Sequence, residues 1–246
     1  GYIHLKIMPG AERTQVEQAL RLADRVSVNL EGANARRLAF LAPQKDFQGE
    51  LLPAMRWVRE IAQAQGPLTK TPSLVTQFVV GPAGESDQEL LTTADQLYRQ
   101  AKLARAYYSG FDPVPDTPLA DAEATPAVRQ HRLYQADWLL RFYGFALDDL
   151  PFDQDGVLPS DEDPKLAWAR QHLAGQPVEV NRAARRELLR VPGIGPRSAD
   201  AILRARRRGH LRDLADLRAV GAVAHRAAPF VLLGGRRPPH QLGFWD

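Results

Sequence analysis

The chain has 246 residues, 44% hydrophobic and 25% charged, with a formal net charge of +3. That length supports one large domain, or a large and a small one. With no apolar run near the roughly 20 residues of a spanning helix and no charged-then-apolar leader, the expected location is the cytoplasm, with no membrane partner. Zero cysteines exclude disulfides, thiolate nucleophiles and any iron-sulfur cluster held by thiolates of this sequence, and no metal site is expected within it.

Tyr2 to Met8 alternates, with Ile3, Leu5 and Ile7 on one face and His4 and Lys6 on the other. This reads as a strand, and Pro9-Gly10 leads from it into a helix from about Glu12 to Ala23. Gly1 runs at once into that strand, so the expectation is a fragment of a longer chain. A second strand, Val26 to Leu30, puts Val28 and Leu30 on one face and Ser27, Asn29 and Glu31 on the other, and helical segments follow near Asn34 to Leu41 and Gly49 to Gln65. A third strand, Thr76 to Val80, passes through Gly81-Pro82-Ala83-Gly84 into a helix from about Ser86 to Gln100, and Leu103 to Ser109 is a fourth strand. Strands alternating with helices imply parallel pairing through helical crossovers, hence a barrel or a doubly wound sheet.

Parallel strands covered on both faces are apolar throughout, so the polar residues at alternate positions need a reason. A barrel interior supplies one: Lys6, Asn29, Glu31, Gln77 and Arg105 then point inward and converge near the carboxyl ends of the strands, where barrel enzymes place their chemistry. A satisfied polar core network is the alternative.

A Pro- and Asp-rich connector, Asp112 to Pro126, precedes a helix from Ala127 to Phe142 that carries Arg129, His131, Arg132, Tyr134 and Trp138. After loose acidic sequence, Asp163-Pro164-Lys165 starts another helix, to about Leu173, with Trp168 as an apolar anchor. The chain thus divides into a barrel part at residues 1–111, a connector and helical extension at 112–175, a terminal module at 176–237 and a tail at 238–246. Charge divides it similarly. Residues 176–237 contain fourteen Arg, no Lys and five acidic residues, a local +9, whereas residues 1–175 carry eighteen basic and twenty-three acidic residues, a local −5. Such asymmetry marks an anion-binding module, with nucleic acid as the leading partner.

Within the module, Asn181 is the expected N-cap of a helix over Arg182 to Arg190. Val191-Pro192-Gly193-Ile194-Gly195 forms a hairpin, and a second helix starts at Pro196. Gly193 and Gly195 carry no side chain, so backbone N–H groups can approach a phosphate, and the amides opening the next helix add positive potential. Arg197, Ser198, Arg204, Arg206, Arg207 and Arg208 are candidate donors to the same backbone; the alternative is a purely structural turn whose glycines act as caps. The segment resembles a helix-hairpin-helix motif, which implies sequence-independent contact with DNA phosphates, in some cases through a monovalent cation held by hairpin carbonyls. A weaker second copy, Leu217 to Ala227, aligns with Leu189 to Ala199. It places Gly221 on Gly193 but Val223 on Gly195, so a structural role is expected for it.

The segments Val26 to Glu31, Gln77 to Glu85, His131 to Asp137 and the terminal hairpin together resemble the later part of a radical SAM protein family associated with DNA modification or repair, often encoded beside a uracil-DNA-glycosylase-like partner. The resemblance spans nearly the whole chain. It implies an α/β fold consisting of a partial (β/α) barrel, later strands only, followed by a small all-α helix-hairpin-helix domain. It also implies S-adenosylmethionine and a 4Fe-4S cluster in the full-length protein, Asn29 and Glu31 on the ribose or amino acid moiety, and Gly81 near the adenine. Lys6, Gln77, Arg105 and His131 fall on the substrate side. The chain departs from the family in lacking the CxxxCxxC loop and the first strands, so it ligates no cluster alone and its missing half is expected on a longer polypeptide or another chain. Two other readings remain: a non-enzymatic DNA-binding adaptor with a structural barrel remnant, and an unrelated barrel enzyme for a phosphorylated metabolite. The histidines His4, His131, His172, His210, His225 and His240 show no metal-ligand spacing.

Overall fold

In the computed structural model the described residues are 1–64 and 71–239. His240, Gln65 and the tail beyond Pro239 lie outside them. The chain forms two compact units, Gly1–Asp137 with Phe152–Leu158, and Trp138–Pro151 with the chain from Pro159 onward. No helix of the described residues is long and apolar enough to cross a membrane.

The first unit is built on a four-stranded parallel sheet of β1 (His4–Lys6), β2 (Arg25–Ser27), β3 (Ser73–Val80) and β4 (Arg105–Gly110), hydrogen-bonded in that sequential order. The crossovers are α1 (Arg13–Leu22), then α2 (Ala35–Leu41) with a π-helical turn (Phe47–Leu51) and α3 (Leu52–Ala64), then α4 (Asp87–Gln100). Each begins where its sequence supplies a cap. Asn34 accepts from the Arg37 N–H at 3.1 Å, Asp46 from the amides of Gln48 and Gly49 at 2.9 Å, and Ser86 and Glu89 form a reciprocal capping box.

Apolar periodicity decides which face each element buries. Val16 and Leu20 of α1, Met55, Val58 and Ile61 of α3, and Leu90, Leu91 and Ala94 of α4 are all buried. So is the opposite row of strand residues, Val26, Val28, Leu30, Leu74, Phe78, Ala106 and Tyr108. Buried Thr76 serves as a polar rivet in this core, donating to the Val28 carbonyl at 2.8 Å and accepting from the Leu30 N–H at 3.2 Å. The mixed α/β class and parallel pairing agree with the sequence reading. Such a sheet is common to open and barrel folds, and the described residues do not close it into a barrel.

The two sheet edges differ. Side chains cap the free edge of β4: Tyr98 Oη accepts from the Ala106 N–H at 2.9 Å and Tyr134 Oη from the Tyr108 N–H at 3.1 Å, while Gln130 Nε2 donates to the Tyr108 carbonyl at 2.7 Å. Tyr134 and Gln130 both belong to α5 (Ala127–Phe142). Among the described residues strand β1 pairs on one side only, with β2, and Tyr2, Ile3 and Met8 around it are exposed.

The second unit contains α6 (Pro164–Leu173), α7 (Arg185–Arg190), α8 (Pro196–Ala205), α9 (Leu214–Ala219) and α10 (Ala224–Ala227). A two-stranded parallel ribbon joins β5 (Val178–Glu179) to β6 (Val231–Leu232). Its core joins Ala169 and Leu173 of α6 to Leu188, Ile194, Ile202, Leu217, Ala227 and Phe230. For that reason the compact unit extends back past the boundary expected at residue 175.

Candidate nucleic-acid interface

The hairpin between α7 and α8 is anchored by its apolar residues. Val191 and Ile194 are fully buried, so these two contribute backbone alone to any ligand and their side chains belong to the core. The turn closes with the Ile194 N–H donating to the Val191 carbonyl at 3.1 Å. Gly193 adopts φ +82°, the left-handed region that favours glycine. A Cβ there would stand 2.3 Å from the Val223 carbonyl oxygen. At Gly195, with φ −101°, a Cβ would meet only Tyr143 Oη, at 3.3 Å. The two glycines therefore have different duties, contrary to the shared role read from the sequence. Gly193 lets two hairpins touch, and Gly195 leaves the start of α8 open.

The partner hairpin is the second copy. Gly221 adopts φ +79°, repeating Gly193. The Val223 N–H donates to the Gly193 carbonyl at 2.8 Å, and the Ser198 hydroxyl to the Gly221 carbonyl at 2.6 Å. Ser198, expected as a phosphate donor, is instead spent stapling the hairpins together. The amide of Val223 is likewise consumed internally, in line with the structural role expected for this copy. In the first hairpin, by contrast, no hydrogen bond among the described residues uses the N–H groups of Gly193, Gly195 or Arg197. They are the open donors that a helix start presents.

Around these amides the arginines fall into two groups. Arg197, Arg204, Arg207 and Arg208 are exposed. Others hold the unit together. Arg206 donates to the Ala183 carbonyl at 2.7 Å, so it drops out of the basic run expected to follow a phosphate backbone. Arg190 bonds Asp149 at 2.8 Å with its guanidinium over the Phe145 ring. Burial alone would raise the Asp149 carboxyl, but the Arg190 hydrogen bond, the Ala146 N–H and the Arg190 charge together outweigh it and hold the group below the usual carboxylate range. Asn181 does not cap α7, whose N-cap is Ala184. Its side chain instead donates to the Leu211 carbonyl and accepts from the Leu211 N–H, both at 2.9 Å.

Residues 174–227 match the family profile of the helix-hairpin-helix motif. The match spans both hairpins and points to nucleic-acid binding. No curated protein matches the chain, and no solved structure does.

The sheet of the first unit carries the other predicted residues. Its face opposite the helices bears a cavity of about 530 Å³ lined by Lys6, Arg25, Asn29, Gln77 and Tyr107, among others. Three of the five expected inward residues meet there, and Asn29 Nδ2 stands 3.5 Å from Gln77 Oε1. The lining runs from the His4–Arg25 row to the Gln77–Tyr107 row; Lys6 ends β1 and Asn29 follows the end of β2, whereas Gln77 and Tyr107 lie inside β3 and β4. Glu31 does not line the cavity. It turns at φ +59° and pairs with Lys45 at 3.2 Å. Arg105 opens β4 at its amino end and lies over the Tyr107 and Tyr134 rings. Gly81 has φ +112° and faces the Thr125 side chain, and His131 is exposed on α5. Sequence reading missed Arg25, whose Nη1 donates to Tyr107 Oη at 3.2 Å. Its position one residue before the predicted strand hid it.

Proposed function

We propose that the terminal unit binds the sugar-phosphate backbone of DNA without reading sequence. One phosphate sits on the Gly193, Gly195 and Arg197 amides, and Arg197, Arg204 and Arg207 hold its neighbours. The observation that carries this reading is the set of unpartnered amides in a matched helix-hairpin-helix motif, flanked by exposed arginines. Anisotropy of a labelled duplex of arbitrary sequence tests it. A site contacting about three phosphates loses roughly 40-fold in affinity between about 50 and 200 mM salt, with no preference among sequences. Gly195→Leu, which crowds the open amides, weakens binding roughly tenfold, and Arg207→Ala reduces the salt slope by about one. Salt-independent binding, or full affinity in a folded Gly195→Leu protein, would overturn the reading.

We also propose that the first unit is the ligand side of a radical SAM enzyme whose cluster-bearing part lies in sequence outside this one. Sequential parallel strands, a polar cavity on the open sheet face and a β1 edge free to accept another strand support this. The chain supplies no thiolate for a cluster, and neither Glu31 nor Gly81 lines the cavity, so of the residues assigned to S-adenosylmethionine Asn29 alone stands there, beside the substrate-side Lys6 and Gln77. Calorimetric titration with S-adenosylmethionine decides it: binding lost in Asn29→Ala supports the assignment. No heat in the wild type leaves a structural sheet and a DNA-binding adaptor.

A further inference from the structure

Among the described residues of the second unit, Lys165 is a buried charged group that the phosphate-binding reading does not use. It sits in the first turn of α6, is 9% exposed, and its Nζ donates to the Ile194 carbonyl oxygen at 2.7 Å. The ammonium also lies 4.5 Å from the centroid of the Tyr143 ring, the side chain whose hydroxyl borders Gly195. No carboxylate stands within ion-pair distance of Nζ among the described residues. The acid whose charge acts on it, Asp163, is engaged twice over: it caps α6 through the Leu166 N–H at 2.9 Å and pairs with Arg226 from α10. Arg190, from α7, faces the same region.

Burying an ammonium without a carboxylate costs several kcal/mol, and an apolar side chain would fill the same space more cheaply. What the charge accomplishes follows from peptide geometry. The Ile194 carbonyl and the Gly195 N–H belong to one peptide unit. That unit is trans, since the described residues contain no cis bond, and its two polar groups point in opposite directions. A carbonyl fixed against a buried cation therefore sends the Gly195 N–H the other way and polarises it as a donor.

We infer that Lys165 is the positioning residue of the phosphate site: from beneath the hairpin it locks the Ile194–Gly195 peptide so that the Gly195 amide presents its hydrogen to a bound phosphate. This rests on the reading of the hairpin as a phosphate site. The hairpin alone sets the turn, and Lys165 sets the donor. Burial, with Arg226 and Arg190 nearby, brings the Lys165 ammonium down to about 7 although Asp163 acts in the opposite sense. The lock therefore weakens across neutral pH.

Two measurements test the inference. In the wild type, the ¹⁵N and ¹H resonances of the Gly195 amide shift with pH with a midpoint near 7, and in Lys165→Met they stay still. At constant ionic strength, wild-type affinity for a duplex falls roughly tenfold as pH rises through that midpoint, the effect of one charge lost near a phosphate. Lys165→Met holds the weaker value throughout. Every other group is common to both proteins, so the difference between the two curves isolates Lys165. Parallel curves, or a Gly195 amide indifferent to pH in the wild type, overturn the inference, and the second of these requires no variant to fold. If the wild type binds no DNA at any pH while the Gly195 amide still titrates with Lys165, the peptide lock stands and the phosphate reading fails.

Discussion

Replacing Gly193 with alanine tests the claim that this glycine exists for contact between hairpins. The residue sits at φ +82°, where an L side chain costs about 1 kcal/mol. The new Cβ would lie 2.3 Å from the Val223 carbonyl oxygen, and a backbone atom cannot rotate away as a side-chain tip would. The hairpins must part, and the 2.8 Å bond from the Val223 N–H to the Gly193 carbonyl goes with them, a further loss of about 1 kcal/mol. Local overpacking adds roughly 1–3 kcal/mol, for a total of about 3–5 kcal/mol. At Gly195 the backbone is ordinary and only Tyr143 Oη, a movable tip, stands nearby, so Gly195→Ala costs less than about 1 kcal/mol. Urea unfolding followed by tryptophan fluorescence compares the two, with Trp168 packed against the core of the unit as reporter. Equal midpoints for Gly193→Ala and wild type, or equal losses for both variants, would refute the division of labour. A fall in DNA affinity on changing Gly193 would otherwise be misread as loss of a phosphate contact.

The buried lysine makes stability depend on pH. In the folded chain it falls to about 7 from the ordinary lysine value of 10.5, so between these limits the unfolded chain binds the extra proton and stability rises with pH, by about 5 kcal/mol at most; melts of wild type and Lys165→Met show this rise only in the former. In the first unit, fully buried Asp87 accepts from Arg129 Nε at 2.8 Å and from the Leu158 N–H at 2.9 Å. Asp87→Ala strands both donors and lowers stability by about 3 kcal/mol in urea titration, and a loss under 1 kcal/mol would mean the contacts are dispensable. Val223→Gly in the second hairpin restores the glycine pattern yet leaves DNA affinity unchanged, because its amide remains bonded to Gly193; a gain would show that amide to be available.

Local signals carried much of the fold. Asp163-Pro164 announces α6 and Ser86 with Glu89 announces α4, because capping is chemistry between residues three apart. Both ends of α5 and the parallel sheet were equally readable, from periodicity and from strand-helix alternation. The misreadings come from contacts between residues distant in sequence. Asn181 has the identity of an N-cap but bonds Leu211, thirty residues away. Ser198 resembles a phosphate donor but reaches Gly221. Arg206 is one of three consecutive arginines, distinguished only by the Ala183 carbonyl lying within its reach. Lys165 left no mark at all, since a lysine in the first turn of a helix ordinarily faces water. Its partner Ile194 is twenty-nine residues downstream.

The same contacts explain why the two copies of the motif do not present the same amides. Two hairpins of like geometry face each other across Gly193, and each has backbone donors near its apex. In the second copy, Val223 commits its N–H to the first copy, and Ser198 commits its hydroxyl in return. Rigidity at the first hairpin thus comes in part from the second committing the Val223 N–H, the counterpart of the open Gly195 amide. The first is then held from two sides, by Val223 through the Gly193 carbonyl and by Lys165 through the Ile194 carbonyl. With the carbonyls of two adjoining peptides both engaged, neither peptide is free to flip, and while Lys165 is charged the Gly195 N–H keeps one orientation whether or not a phosphate is present. Preorganisation of that kind lets a small site bind without an ordering cost at the moment of contact, and it assigns the second hairpin to support even though its glycine turn repeats the first.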